Sequence, residues 1–98
     1  MTFRIADTEL NSRFFLGTAS YPSPQVLQDA IAASGAEVVT VGLKRQMAAG
    51  GAGTQNDFYK MIRASGARLL PNTAGCRSAR EAVTLSQLAR ELFGTNWI

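Results

Sequence analysis

Lys44 and Arg45 stand together at the end of an apolar run, Val38-Val39-Thr40-Val41-Gly42-Leu43. A lysine amine stripped of its water shell falls in pKa and can form a Schiff base with a carbonyl. A neighbouring guanidinium can grip a carboxylate or phosphate through two parallel hydrogen bonds. A solvated lysine beside a surface or interface arginine fits the same residues, since most such side chains are exposed. Asn72 and Thr73 end a second apolar run, Arg68-Leu69-Leu70-Pro71. Asn72 can orient a substrate hydroxyl, or it can simply shape a turn. Thr18 ends a third run after Phe14-Phe15-Leu16-Gly17. Cys76 is the lone cysteine, and a nucleophilic thiolate needs an activating base beside it. The 98 residues contain no histidine, so the sequence favours an inert thiol.

The missing histidine also removes Ser-His-Asp and Cys-His catalysis, and one cysteine makes a zinc site improbable. One cysteine cannot form an internal disulfide, which fits a reducing compartment. The chain is 46% hydrophobic and 17% charged, enough to build a core rather than remain disordered. Its net charge of +3 is spread over scattered basic residues, without the clustering of a nucleic-acid footprint. No apolar run approaches the roughly 20 residues of a membrane span, and the N-terminus MTFRIADTEL lacks an apolar signal segment. The expectation is a cytoplasmic protein with no nucleic-acid or membrane partner, no cofactor and no metal.

The elements that position these residues can be read in order. Phe3-Arg4-Ile5 and Arg13-Phe14-Phe15-Leu16 alternate in polarity around residues 7–12, which predicts a short β-hairpin leading into a first core strand. Ser23 is a good N-cap and Pro24 suits the first helical position of a helix ended by Gly35. Val26, Leu27, Ala30 and Ile31 give that helix an apolar face. Residues 38–43 read as a buried parallel strand. Residues 47–54, MAAGGAGT, form a small-residue loop without the G-K-[ST] of a P-loop. Asn56 or Asp57 caps a second helix with Phe58, Met61, Ile62 and Ser65 on one face, ended by Gly66. The next strand is expected to halt at Pro71, which cannot donate to a ladder. A turn follows at residues 72–76. Ser78 and Glu81 then form a capping box for a third helix, with Arg80, Thr84, Gln87 and Glu91 as its polar stripe. Gly94 ends it, and Thr95-Asn96-Trp97-Ile98 is expected to begin a fourth strand.

Ala33-Ser34-Gly35-Ala36 recurs 31 residues later as Ala64-Ser65-Gly66-Ala67, and Phe93-Gly94-Thr95 marks the same boundary 28 residues beyond that. A helix–Gly–strand unit repeated about every 30 residues means a parallel sheet. Eight such units make about 250 residues, the size of a (β/α)8 barrel. The expected fold is α/β: the N-terminal part of a (β/α)8 TIM barrel, three βα units and the start of a fourth strand. Periodicity leaves an open flavodoxin-like sheet as the rival. In a barrel, function lies at the C-terminal strand ends, here at Thr18, Lys44, Arg45, Asn72 and Thr73.

The segment LLPNTAG, with Ala79, Glu81, Ala82 and Leu88-Ala89-Arg90 after it, resembles bacterial thiazole synthase of thiamine biosynthesis. So do residues 12–18 with Tyr21-Pro22-Ser23, the strand ending in Lys44-Arg45, and Gly94-Thr95-Asn96-Trp97-Ile98. The resemblance covers essentially the whole chain. It makes residues 1–98 a single partial domain, about the first third of such a barrel. It implies a homo-oligomeric transferase that joins 1-deoxy-D-xylulose 5-phosphate to dehydroglycine. Sulfur comes from the thiocarboxylate of a sulfur-carrier protein, and a further partner enzyme makes the dehydroglycine. It implies a lysine Schiff base, with that lysine directly after the Asn96-Trp97-Ile98 segment and so beyond Ile98. No catalytic residue is therefore carried onto these 98 residues, which are expected to be catalytically incomplete as a fragment. The segment 47–54 departs from the family pattern. Two other readings fit: a non-catalytic α/β module that binds a protein partner through its open sheet edge, and a chain in which Lys44 replaces the missing lysine.

Overall fold

A computed structural model of the chain describes residues 2–44 and 57–98. Arg45, the loop expected at 47–54 and the cap expected at Asn56 lie outside the described residues.

The hairpin comes first. Strands β1 (Phe3–Ile5) and β2 (Thr8–Leu10) pair antiparallel, with Phe3 opposite Leu10 and Ile5 opposite Thr8. Their turn puts Ala6 at φ 53°, the positive angle that a two-residue hairpin loop demands. The Arg13 guanidinium lies 4.9 Å from the centre of the Phe3 ring. Glu37 anchors the linker that follows: its Oε1 accepts the N–H groups of Asn11 at 2.5 Å and Ser12 at 2.6 Å.

Strands β3 (Phe15–Gly17), β4 (Val38–Gly42) and β5 (Arg68–Asn72) form a parallel sheet in that order. Leu16 pairs with Val39, and Val39 with Leu69. Helix α1 (Pro24–Ser34) joins β3 to β4, α2 (Asp57–Ala64) lies between β4 and β5, and α3 (Ala79–Phe93) follows β5. The chain is therefore a mixed α/β structure of three βα units behind a hairpin.

The helix limits follow from local chemistry. Ser23 Oγ accepts the Val26 N–H at 3.2 Å, Pro24 opens α1, and Gly35 ends it in the left-handed region at φ 68°. Ser78 Oγ does the same for the Glu81 N–H at 3.1 Å, and the Gly94 N–H closes α3 on Arg90 O. Buried Leu27, Ile31, Val39, Val41 and Ile62 form the core, with Leu16, Phe58, Met61 and Leu69 against it. Every second strand residue thus faces the helices. Full burial of Leu27 and Ile62 stabilises by about 1.5–3 kcal/mol each. The Tyr59 and Phe93 rings, 4.8 Å apart, join α2 to α3.

Four expectations are corrected here. Strand β5 does not halt at Pro71: it runs through that buried residue to Asn72, opposite Gly42. A strand paired along one side has alternate N–H groups that owe nothing to the ladder, so proline is tolerated there. Residues 94–98 form no strand. The Trp97 N–H is taken by Thr95 Oγ1 at 3.0 Å, and the ring lies 4.5 Å from the Arg68 guanidinium. Such a local side-chain bond competes with sheet pairing. Val26, read as part of an apolar helix face, is exposed at 41%, and Val83 on α3 at 55%. On α2, Tyr59 is buried against Phe93, while Ser65, just past the helix end, is exposed rather than part of the apolar face.

Candidate active site

A parallel βαβ unit brings every strand's C-terminal end, and every following helix start, to one edge of the sheet. Four of the residues singled out above meet that edge. Thr18 follows the last residue of β3, Lys44 lies just beyond β4, Asn72 is the last residue of β5, and Thr73 comes next. Arg45 lies outside the described residues.

Their bonds give each a local role. Thr18 Oγ1 donates to Thr40 O at 2.6 Å, tying the end of β3 to β4. Asn72 Oδ1 accepts the Ala74 N–H at 3.1 Å, the side-chain turn expected of asparagine. Thr73 O accepts the Cys76 N–H at 3.1 Å, and Gly75 supplies the positive φ of 89° that the turn needs. Lys44 Nζ reaches across from β4 to Gly75 O at 3.2 Å and to Glu81 Oε2 at 3.4 Å.

Glu81 is the site residue that the sequence reading treated as a cap alone. Its Oε1 accepts the N–H of Arg77 at 2.9 Å, one residue earlier than the reciprocal bond of a capping box. The other oxygen is thereby left for Lys44. The repeat brings helix starts and strand ends to one edge of the sheet, but nothing in its spacing pairs Lys44 with Glu81. The Arg77 N–H and then the Lys44 ammonium hold the Glu81 carboxyl below the ordinary carboxylate range. Partial burial and then the Glu81 carboxylate push the Cys76 thiol up, with Lys44 pulling the other way. A thiol so shifted is a poor nucleophile at neutral pH.

Beside Thr18, a cleft of about 260 Å³ is lined by Ser20, Tyr21, Ser23, Leu27 and Phe58. At the opposite end of the sheet, Glu37, Arg63, Arg68 and Phe93 line another of about 460 Å³. Among the described residues no group of three or more His, Cys, Asp or Glu could hold a metal ion. No helix among them is long and apolar enough to cross a membrane.

Comparison with known proteins adds the family. A family model described as Thiazole biosynthesis protein ThiG matches residues 4–98. Thiazole synthase of Bradyrhizobium sp. strain BTAi1 is 60% identical over 92 residues, 94% of this chain and 35% of the relative. Thiazole synthase of Rhodopseudomonas palustris strain HaA2 is 59% identical over the same shares. That of Gluconobacter oxydans strain 621H is 60% identical over 90 residues, 92% of this chain and 34% of the relative. The chain spans about a third of the length of the curated relatives it matches.

Proposed function

We propose, since this chain belongs to the ThiG family of thiazole biosynthesis proteins, that it supplies the first three βα units of a thiazole-forming transferase. The observation that carries this reading is the family match across residues 4–98. The fold is proposed to be the N-terminal part of a (β/α)8 barrel. Its three strands lie in sequence order with the core helices on one face. Between the helix-facing residues, Phe15, Val38 and Arg68 share one level, and Gly17, Thr40 and Leu70 the next.

The substrates are 1-deoxy-D-xylulose 5-phosphate, dehydroglycine and the thiocarboxylate end of a sulfur-carrier protein. A lysine amine condenses with the sugar ketone, and the resulting imine draws electrons from the neighbouring carbon. That permits the tautomerisation that precedes sulfur attack. The lysine lies beyond Ile98. Thr18, Lys44, Arg45, Asn72 and Thr73 form part of the rim around the sugar phosphate, where charged and hydroxyl groups suit its polar atoms. The assembly is a homo-oligomer in the cytoplasm, served by the sulfur carrier and a dehydroglycine-producing enzyme.

An assay with all three substrates tests the reading. A longer polypeptide that begins with these 98 residues is expected to form the thiazole phosphate, and the 98-residue chain alone to form none. Failure of the longer polypeptide under conditions in which the Bradyrhizobium relative turns over would overturn it.

A further inference from the structure

The turn between β5 and α3 is held mostly by its own residues, through Asn72, Thr73 and Glu81. Among the described residues, one hold comes from elsewhere. Lys44, at the end of β4, donates to Gly75 O and to Glu81 Oε2. A Cβ built on Gly75 would stand 3.6 Å from Lys44 Cδ, so the lysine stem runs along the turn's backbone. The pair is about two-fifths exposed on each side, and an ion pair so wet adds little to stability. Its geometric effect is larger. Gly75 O and the carboxylate that takes the Arg77 N–H are fixed relative to β4, not merely to one another.

We infer that Lys44 is a positioning residue: its ammonium locks the 72–77 turn to the end of β4 and so aims Asn72 and Thr73 into the strand-end site. What the turn serves rests on the function proposed above; the lock itself does not. A lysine engaged by a carbonyl and a carboxylate is spent as a nucleophile, since attack on a ketone needs a free amine. Arginine can replace it, because a guanidinium can donate to the same two oxygens. Methionine cannot, although it preserves the apolar stem.

The test is amide hydrogen exchange on the 98-residue chain, unsubstituted and as Lys44→Met and Lys44→Arg. Lys44→Met is expected to speed exchange at Cys76 and Arg77 about twofold to fivefold, the effect of losing one exposed ion pair. Exchange at Val39 and Val41 in β4 stays unchanged, and Lys44→Arg restores slow exchange in the turn. Unchanged exchange in Lys44→Met, no rescue by arginine, or a turn already unprotected in the unsubstituted chain would each overturn the inference. If Lys44→Met also releases β4, the arginine variant decides, since recovery of β4 without recovery of the turn again overturns it.

A second readout uses the longer polypeptide. There Lys44→Met is expected to lower kcat/KM about tenfold to a hundredfold through misplacement. Borohydride trapping of the sugar should survive the change. Loss of trapping would make Lys44 the nucleophile and sink the inference. If the unsubstituted polypeptide makes no thiazole, the functional reading fails while the exchange result still stands or falls alone.

Discussion

Lys44, Glu81 and Cys76 come from three places in the chain and share one electrostatic environment. Glu81 is pulled down in pKa by the Arg77 N–H and by Lys44. A carboxyl whose folded pKa lies below its unfolded value stabilises above the unfolded value. That contribution is lost as pH falls through the folded one. The 72–77 turn should therefore loosen only in acid, below the ordinary carboxylate range, and stay closed at neutral pH. Cys76 answers in the opposite sense. With the thiol pushed up, only the thiolate fraction reacts, and that fraction is small near pH 7. Alkylation of Cys76 is expected to show a pH midpoint above that of the same cysteine in urea. A midpoint below the unfolded one would mean that Lys44, not Glu81, dominates at the sulfur. The inert reading of Cys76 was legible from the missing histidine. The partner of Lys44 was not, because a bond between residues 37 apart in sequence leaves no periodic trace.

At the scale of the elements, the repeated Ala-Ser-Gly-Ala and the two caps made the βα units legible. Ser23 and Ser78 cap as expected because a short hydroxyl side chain satisfies a helix-start N–H that nothing else reaches. The failures share one cause. Pro71 and residues 94–98 carry local preferences that what lies beside them overrides. Among the described residues Pro71 sits in a strand with one neighbour, and Tyr59 finds Phe93. Trp97 meets Arg68, while Val83 and Ile98 line a groove of about 400 Å³ with Trp97. The packing account makes a direct prediction on α2. Ile62 is 1% exposed at the centre of the core, where Leu27, Val39 and Val41 meet it. Ile62→Ala is expected to lower stability by about 2–5 kcal/mol, read as a fall in urea midpoint. Val83→Ala, at an exposed site, should move the midpoint far less. Equal losses at the two sites would contradict the core as described.

At the scale of the whole molecule, what unites these observations is a division of labour along the sheet. One face carries the helices and holds the fold together. The C-terminal edge carries Thr18, Lys44, Asn72 and Thr73, and its bonds connect one βα unit to the next. On the barrel fold proposed above, a rim would be built in this way from successive units. The family membership was legible in LLPNTAG and in residues 94–98, where specific side chains rather than periodicity carry the likeness. The proposed closure into a barrel has no such trace, since three units in sequence order also begin an open sheet.

On the proposed function, this chain shapes a site whose imine-forming lysine lies outside its 98 residues. Intact mass measurement after incubation with 1-deoxy-D-xylulose 5-phosphate and borohydride addresses it most directly. No adduct is expected on the 98-residue chain, and one is expected on a longer polypeptide that begins with these residues, mapped to the lysine after Ile98. An adduct on Lys44 or Lys60 of the 98-residue chain would contradict it.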